Sequence, residues 1–227
     1  MRPLYIIPVA LLFMMTLTAA SSKAAAEPDV LSVPIKKDRA GAPDGWKIRE
    51  WRGKAAVSVV ATDSGDALHL KSAGTSTALY KDVSFDIRDR PRLNWRWKVI
   101  ALPKGADVRL KSTDDQAAQV YVIFPKWPSA INSRIIGYIW DTQAPKGLEL
   151  TSTKTSTTKY VVLRSGQAGL GQWFAESRDV YEDYKRLFKE EPPLVGSVSV
   201  MIDSDDTAGT AESYVADIYF SKSAAAK

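Results

Sequence analysis

The sequence predicts a mainly β protein, a sandwich or jelly roll with one short helix. Three observations point there. Apolar and polar residues alternate with period two over several short stretches. Turn signals rich in Gly, Pro, Asp and Ser separate those stretches at regular spacing. A single segment carries a helical stripe, with no strand–helix–strand alternation and no internal repeat. The tally is about nine strands. Trp and Tyr number 7 and 9, residue types that suit a half-buried pleated surface.

The N-terminus reads as an export leader. Arg2 supplies positive charge, residues 4–17 are almost wholly apolar, and Ala24-Ala25-Ala26 offers a small-residue cleavage site. Thr18-Ala19-Ala20 offers a second, so cleavage is expected after Ala26 or Ala20. The apolar run is shorter than the roughly 20 residues of a comfortable membrane span. An uncleaved anchor is the alternative. The expected organisation is a signal peptide over 1–26, an extended lead-in over 27–45, one sandwich domain over 46–220 and a frayed tail over 221–227. The expected location is periplasmic or secreted, with no membrane span after cleavage.

Composition excludes several classes. The chain has no Cys, which removes lipoprotein acylation, disulfides and thiol catalysis. The formal charge of +5 falls when the leader takes Arg2 and Lys23. A mildly basic exported protein suits an anionic envelope polymer, whereas its scattered cations do not suit nucleic acid.

The lead-in holds Pro28, Pro34, Gly41 and Pro43. Strands are expected over 55–60 and 67–70, then over 78–87 after a small polar turn. The next, 93–99, is the strongest. Leu93, Trp95, Trp97 and Val99 share one face, and Asn94, Arg96 and Lys98 share the other. One buried Trp hides about 150–250 Å², so Trp95 and Trp97 read as core. The charged residues 106–116 read as a loop. In the strand 117–124, Val120, Val122 and Phe124 oppose Gln119, Tyr121 and Ile123. The strand 135–140 puts Ile136, Tyr138 and Trp140 on one face. Residues 147–159 read as a polar hairpin or an exposed edge, and 160–163 as a short apolar strand. The helix starts at Asp179, with Glu182 placed for a capping box. Val180, Tyr184, Leu187 and Phe188 form its stripe, and Pro192-Pro193 stops it. Strands over 194–202 and 214–220 close the domain.

Little here is catalytic by pattern. His69 is the single His, so a zinc site rich in His is excluded and a His-based triad would have to use it. No nucleophile elbow, P-loop or dinucleotide fingerprint appears. What remains is carboxylates and rings. Asp203-Ser204-Asp205-Asp206 is the richest acidic loop. Asp203, Asp205 and Asp206, with Asp217, offer oxygens for calcium, and an Asx-stabilised turn is the bland alternative. Asp114-Asp115 precedes the 117–124 strand as a ligand site or a solvated turn. Glu176, Arg178 and Asp183 crowd the start of the helix, where a structural ion pair competes with an anion site.

Several of these stretches together resemble a known family. They are Leu93–Val99 (LNWRWKV), the run from Asp114-Asp115 to Phe124, Gly137-Tyr138-Ile139-Trp140, Trp173–Val180 with Asp183-Tyr184, and Asp203-Ser204-Asp205-Asp206-Thr207. In the same order they mark the domain-of-unknown-function family DUF3047 of exported bacterial proteins, over about residues 46–220. In that family's pattern an Asn stands where this chain has Asp179, and a Gly stands where it has Lys189 and again where it has Ala208. The family name implies no activity. Its architecture is similar to galactose-binding-like jelly rolls, many of which bind glycans.

Three functions follow for test. One is a non-catalytic binding module for a carbohydrate, through Asn94, Arg96, Tyr121, Tyr138, Trp140 and Arg178, with no cofactor beyond calcium. The second is a glycan-acting enzyme using two of Asp115, Glu176 and Asp203. The third is a structural envelope protein.

Overall fold

The structure, a computed structural model, describes residues 29–223 of the 227-residue chain. The leader and the last residues of the tail lie outside the described residues. In chain order the strands are β1 (Val30–Ser32), β2 (Lys47–Arg52), β3 (Ala56–Thr62), β4 (Gly65–Ala73), β5 (Ser76–Phe85) and β6 (Arg92–Ala101). They continue as β7 (Ala118–Phe124), β8 (Arg134–Asp141), β9 (Glu149–Thr151), β10 (Thr158–Ser165), β11 (Phe174–Asp179), β12 (Val195–Asp203) and β13 (Thr210–Ser221). A helical turn, α1 (Ser129–Asn132), links β7 to β8, and α2 (Val180–Phe188) follows β11.

Two sheets stack as a jelly-roll sandwich. One has six strands in the order β11-β6-β13-β4-β3, with β1 pairing the far end of β13. The other has seven, β2-β5-β12-β7-β8-β10-β9, antiparallel except for β8 and β10. The core between them is a stack of rings. Trp95 and Trp97 from β6 meet edge to face at 5.4 Å. Across the sandwich, Trp95 lies 5.4 Å from Tyr138, and Trp97 lies 6.2 Å from Trp140. All four are buried.

The helix forms where its sequence places it. Asp179 caps it by accepting from the Glu182 amide at 3.0 Å. Val180 and Tyr184 are wholly buried. The last turn closes on Lys189, in the left-handed region at φ 59°, whose amide donates to the Lys185 carbonyl.

Four strands go beyond the expected set. β1 and β2 lie within or beside the expected lead-in, β9 stands in the polar hairpin, and β11 occupies the crowded approach to the helix. β2, β9 and β11 are edge strands. β2 is exposed throughout and β9 buries no residue, while β11 turns Phe174, Glu176 and Arg178 inward, two of them charged, so hydropathy does not mark any of the three.

Candidate functional site

The seven-stranded sheet has a second populated face. In β12, Val198, Val200 and Ile202 point into the core, while Ser197, Ser199, Met201 and Asp203 point away from it. In β7, Val120 and Val122 point in, and Tyr121 and Ile123 point out. These outward residues floor a cleft of about 610 Å³ that also takes in Trp51, Ser76, Tyr80 and Tyr160. The volume lies within the usual range for a ligand pocket, about 300–1,000 Å³.

The floor is fixed by close packing. Tyr121 and Tyr160 close over Gly137, where a Cβ would stand 2.6 Å from Tyr121 Cε1 and 2.8 Å from Tyr160 Cδ1. A polar relay runs from there to the end of the cleft. The Tyr121 hydroxyl donates to Gln119 Oε1, and Gln119 Nε2 donates to Asp203 Oδ1 at 2.8 Å. Burial holds the Tyr121 phenol far above its usual range, so it stays a donor.

Carboxylates gather at that end. Asp203 also accepts from the Gln116 amide at 2.7 Å, and burial holds its carboxyl well above the usual carboxylate range. Asp114 is raised by burial, with the Gln116 side chain opposing. Asp205 is raised by burial and then by the charges of Asp206 and Asp115. Asp115 clasps the β12–β13 loop: it accepts from the Asp206 amide at 3.1 Å, the Thr207 amide at 2.7 Å and the Thr207 hydroxyl at 2.6 Å. Lys154 reaches Asp206 Oδ2 at 2.6 Å.

The expected ligand residues are mostly elsewhere, and this corrects the sequence reading. Tyr138 and Trp140 are 0% exposed in the ring core and offer nothing to a ligand. Alternation shows that they share a face but not which way it turns. Asn94 and Arg96 lie on the outer face of the other sheet. Asn94 donates to Ser221 Oγ at 2.9 Å, and Arg96 pairs with Asp217 and sits 5.0 Å from the Trp173 ring. Arg178 docks the helix: it forks onto Asp183, at 2.9 and 2.6 Å, which also accepts from the Tyr138 hydroxyl. Tyr121 alone of that set lines the cleft.

The acids divide in the same way. Asp115, Asp203 and Asp205 come together, with one oxygen of each within 4.8 Å of the others. Asp206 sits beside them on Lys154, whereas Asp217 belongs to the other sheet with Arg96. Glu176 is also away from the group, accepting from Trp97 Nε1 at 3.0 Å and Arg164 Nε at 2.6 Å. An acid pair using Glu176 is therefore not formed. The sequence reading missed Trp51, Tyr80, Tyr160 and the serines of β12. The signal was present in Ser197-Val198-Ser199-Val200, where small hydroxyls alternate with core valines.

Comparison with curated proteins finds no match. Among solved structures, the chain is similar to the family 11 carbohydrate-binding module of the cellulosomal cellulase Lic26A-Cel5E of Clostridium thermocellum. That likeness has 10% identity and a TM-score of 0.45, covering 84% of this chain and 94% of that one. The family 11 module from Clostridium thermocellum in complex with a beta-1,3-1,4-mixed-linked tetrasaccharide matches at 9% identity and TM-score 0.44, over 81% and 92%. A family 29 carbohydrate-binding module, in a mutant form of CBM29-2, matches at 10% identity and TM-score 0.38, over 85% and 91%. At the level of sequence, the profile described as "Protein of unknown function (DUF3047)" matches residues 44–219, and the chain belongs to that family.

Proposed function

We propose that the protein is an exported, non-catalytic carbohydrate-binding module that takes a glycan along the cleft of the seven-stranded sheet. The observation that carries this is the make-up of the floor. Ser76, Ser197 and Ser199 line it, and their hydroxyls have no hydrogen-bond partner among the described residues. Each is a donor and an acceptor facing the cleft. Beside them stand the rings of Trp51, Tyr80, Tyr121 and Tyr160. Trp51 is 52% exposed, with Arg49 stacked on it at 4.9 Å. Sugar rings offer apolar faces to such rings and hydroxyls to such serines. The cleft draws on six adjacent strands, from β2 to β10. At about 4.8 Å between strands it spans on the order of 24 Å, a length that suits an oligosaccharide.

The test is a glycan array of envelope and plant polysaccharides, with hits measured by calorimetry. Trp51→Ala leaves the core untouched and is expected to weaken binding about tenfold, near the upper end of a ring contact of about 0.5–1.5 kcal/mol. A folded protein that binds no glycan on the array refutes the reading. The export part is tested by fractionation and intact mass. A mature chain beginning at Ser21 or Glu27 in the periplasm supports it, and Met1 retained in the membrane pellet refutes it.

A further inference from the structure

The antiparallel pairing of β12 with β7 sets Val200 opposite Val120 and Met201 opposite Gln119. That register carries the end of β12 to the start of β7. It brings Asp203-Ser204-Asp205-Asp206 against Asp114-Asp115, two acidic segments far apart in sequence. Among the described residues, Lys154 pairs with Asp206, while Asp115, Asp203 and Asp205 form no ion pair. One oxygen from each of these three lies within 4.8 Å of the others. Calcium binds oxygens at about 2.3–2.6 Å, so two ligands on opposite sides of one ion stand about 4.6–5.2 Å apart. No two of the three oxygens are farther apart than the upper value.

A separate observation points the same way. Asp114 lines the same end of the cleft and is 2% exposed. Its Oδ1 accepts from Gln116 Nε2 at 3.0 Å, but its buried Oδ2 has no hydrogen-bond partner. A buried carboxylate oxygen left without a donor is costly. The charge of Lys154 acts on Asp114 without a hydrogen bond to Oδ2, and a cation beside that oxygen, reached directly or through a water, would supply the close partner it lacks. The donors are all hard oxygens, which select calcium or magnesium over the softer transition metals.

We propose that Asp115, Asp203 and Asp205 hold one calcium ion at the end of the cleft, with Asp114 beside it. This stands independently of the glycan reading.

The experiment uses the purified full chain, stripped with EDTA and dialysed. Calcium chloride is titrated to about 10 mM, which covers the weakest calcium modules at about 10⁻⁴–10⁻³ M. Binding is read by calorimetry and by melting temperature, with magnesium chloride in parallel. One ion per chain is expected. At a hundred times Kd the folding equilibrium should rise about 100-fold, a Tm increase of roughly 5–10 °C. Asp205→Asn tests the site without touching the fold, because the Asp205 carboxylate accepts from no other described residue. It should weaken calcium binding at least tenfold, and Asp203→Asn should do the same. Asp217→Asn should leave it unchanged. A stripped, folded wild-type protein with neither heat nor Tm shift overturns the proposal, as does full calcium binding by Asp205→Asn.

Discussion

Gly137 is the tightest point of the cleft floor, and replacing it by Ala tests how the floor is built. Its backbone is not in the left-handed region, so Ala meets no backbone strain there. The cost is contact. The new Cβ would stand 2.6 Å from Tyr121 Cε1, 2.8 Å from Tyr160 Cδ1 and 3.0 Å from Tyr121 Cδ1. Carbon atoms pack at about 3.5–4.0 Å, so both rings must retreat by about 1 Å. Tyr121 and Tyr160 are each only 7% exposed, and Tyr121 is tied to Gln119, so neither moves freely. Overpacking of this kind costs about 1–3 kcal/mol. With a urea m-value of about 2 kcal/mol/M, the midpoint should fall by about 0.5–1.5 M. Urea melts followed by Trp fluorescence measure it. The same substitution in a Tyr121→Ala, Tyr160→Ala background should cost close to nothing, because the atoms it strikes are gone. An equal cost in both backgrounds would show that the strain lies elsewhere, and a loss under about 0.5 kcal/mol in the wild-type background would show that the rings yield.

Other predictions follow from the same packing. Trp95→Ala and Trp97→Ala should each lower stability by about 3–5 kcal/mol in denaturant melts, and a loss under about 1 kcal/mol would place that ring outside the core. Lys189 and Ala208 hold left-handed backbone, at φ 59° and 50°. Lys189→Gly and Ala208→Gly should each raise stability by about 0.5–1 kcal/mol, and a loss at either would mean that its side chain contributes more than the strain costs. The pH dependence should run opposite to ordinary acid lability. Asp114, Asp203 and Asp205 are raised above their unfolded values, so their protonated forms favour the fold. That contribution is complete below about pH 4 and is lost as pH rises through the raised values, at up to about 1.4 kcal/mol per pH unit for each group. Glu190 opposes it on the acid side. Lys126 and Arg134 hold its carboxyl at about 2, so its stabilisation fades as pH falls below about 4.5. Without calcium, Tm should therefore fall as pH rises above about 4.5, and Asp203→Asn should flatten the fall. A Tm that rises steadily with pH above about 4.5 would refute this assignment.

The central strands were legible in the sequence because they bury one whole face. β6, β7 and β8 each carry large residues at every second position, and all three lie inside their sheets. Edge strands hide because a chain paired on one side satisfies its backbone without a buried face. β2 reads Lys-Ile-Arg-Glu-Trp-Arg and is exposed throughout. The site was harder to read for two reasons. Alternation separates two faces without saying which is inside, so it does not tell that Tyr138 and Trp140 turn into the core while Tyr160 turns to the cleft. The acidic group also depends on the register of β7 against β12, which brings residues 114–116 to residues 203–207. Local pattern carries no record of that meeting.

The carboxylates at this junction do different work, and their hydrogen bonds tell them apart. Three loops converge here. Ser204 Oγ lies 2.8 Å from Ser72 Oγ and accepts from the Gly74 amide, tying the β12–β13 loop to the β4–β5 turn. Asp115 ties the same loop to the approach to β7 through three donors. A substitution at Asp115 strands two backbone amides at once, and an unmet buried donor costs about 1–3 kcal/mol. Loss of binding in an Asp115 variant would therefore report a collapsed loop as readily as a lost ligand. The Asp205 carboxylate takes no donor from another described residue, so the fold does not spend it. It also lines the cleft. A carboxylate that the protein leaves unspent beside an open cleft, amid like charges, is the one whose removal separates chemistry from folding. Asp205→Asn should keep the wild-type melt in the absence of calcium, or exceed it slightly as repulsion from Asp206 and Asp115 is relieved.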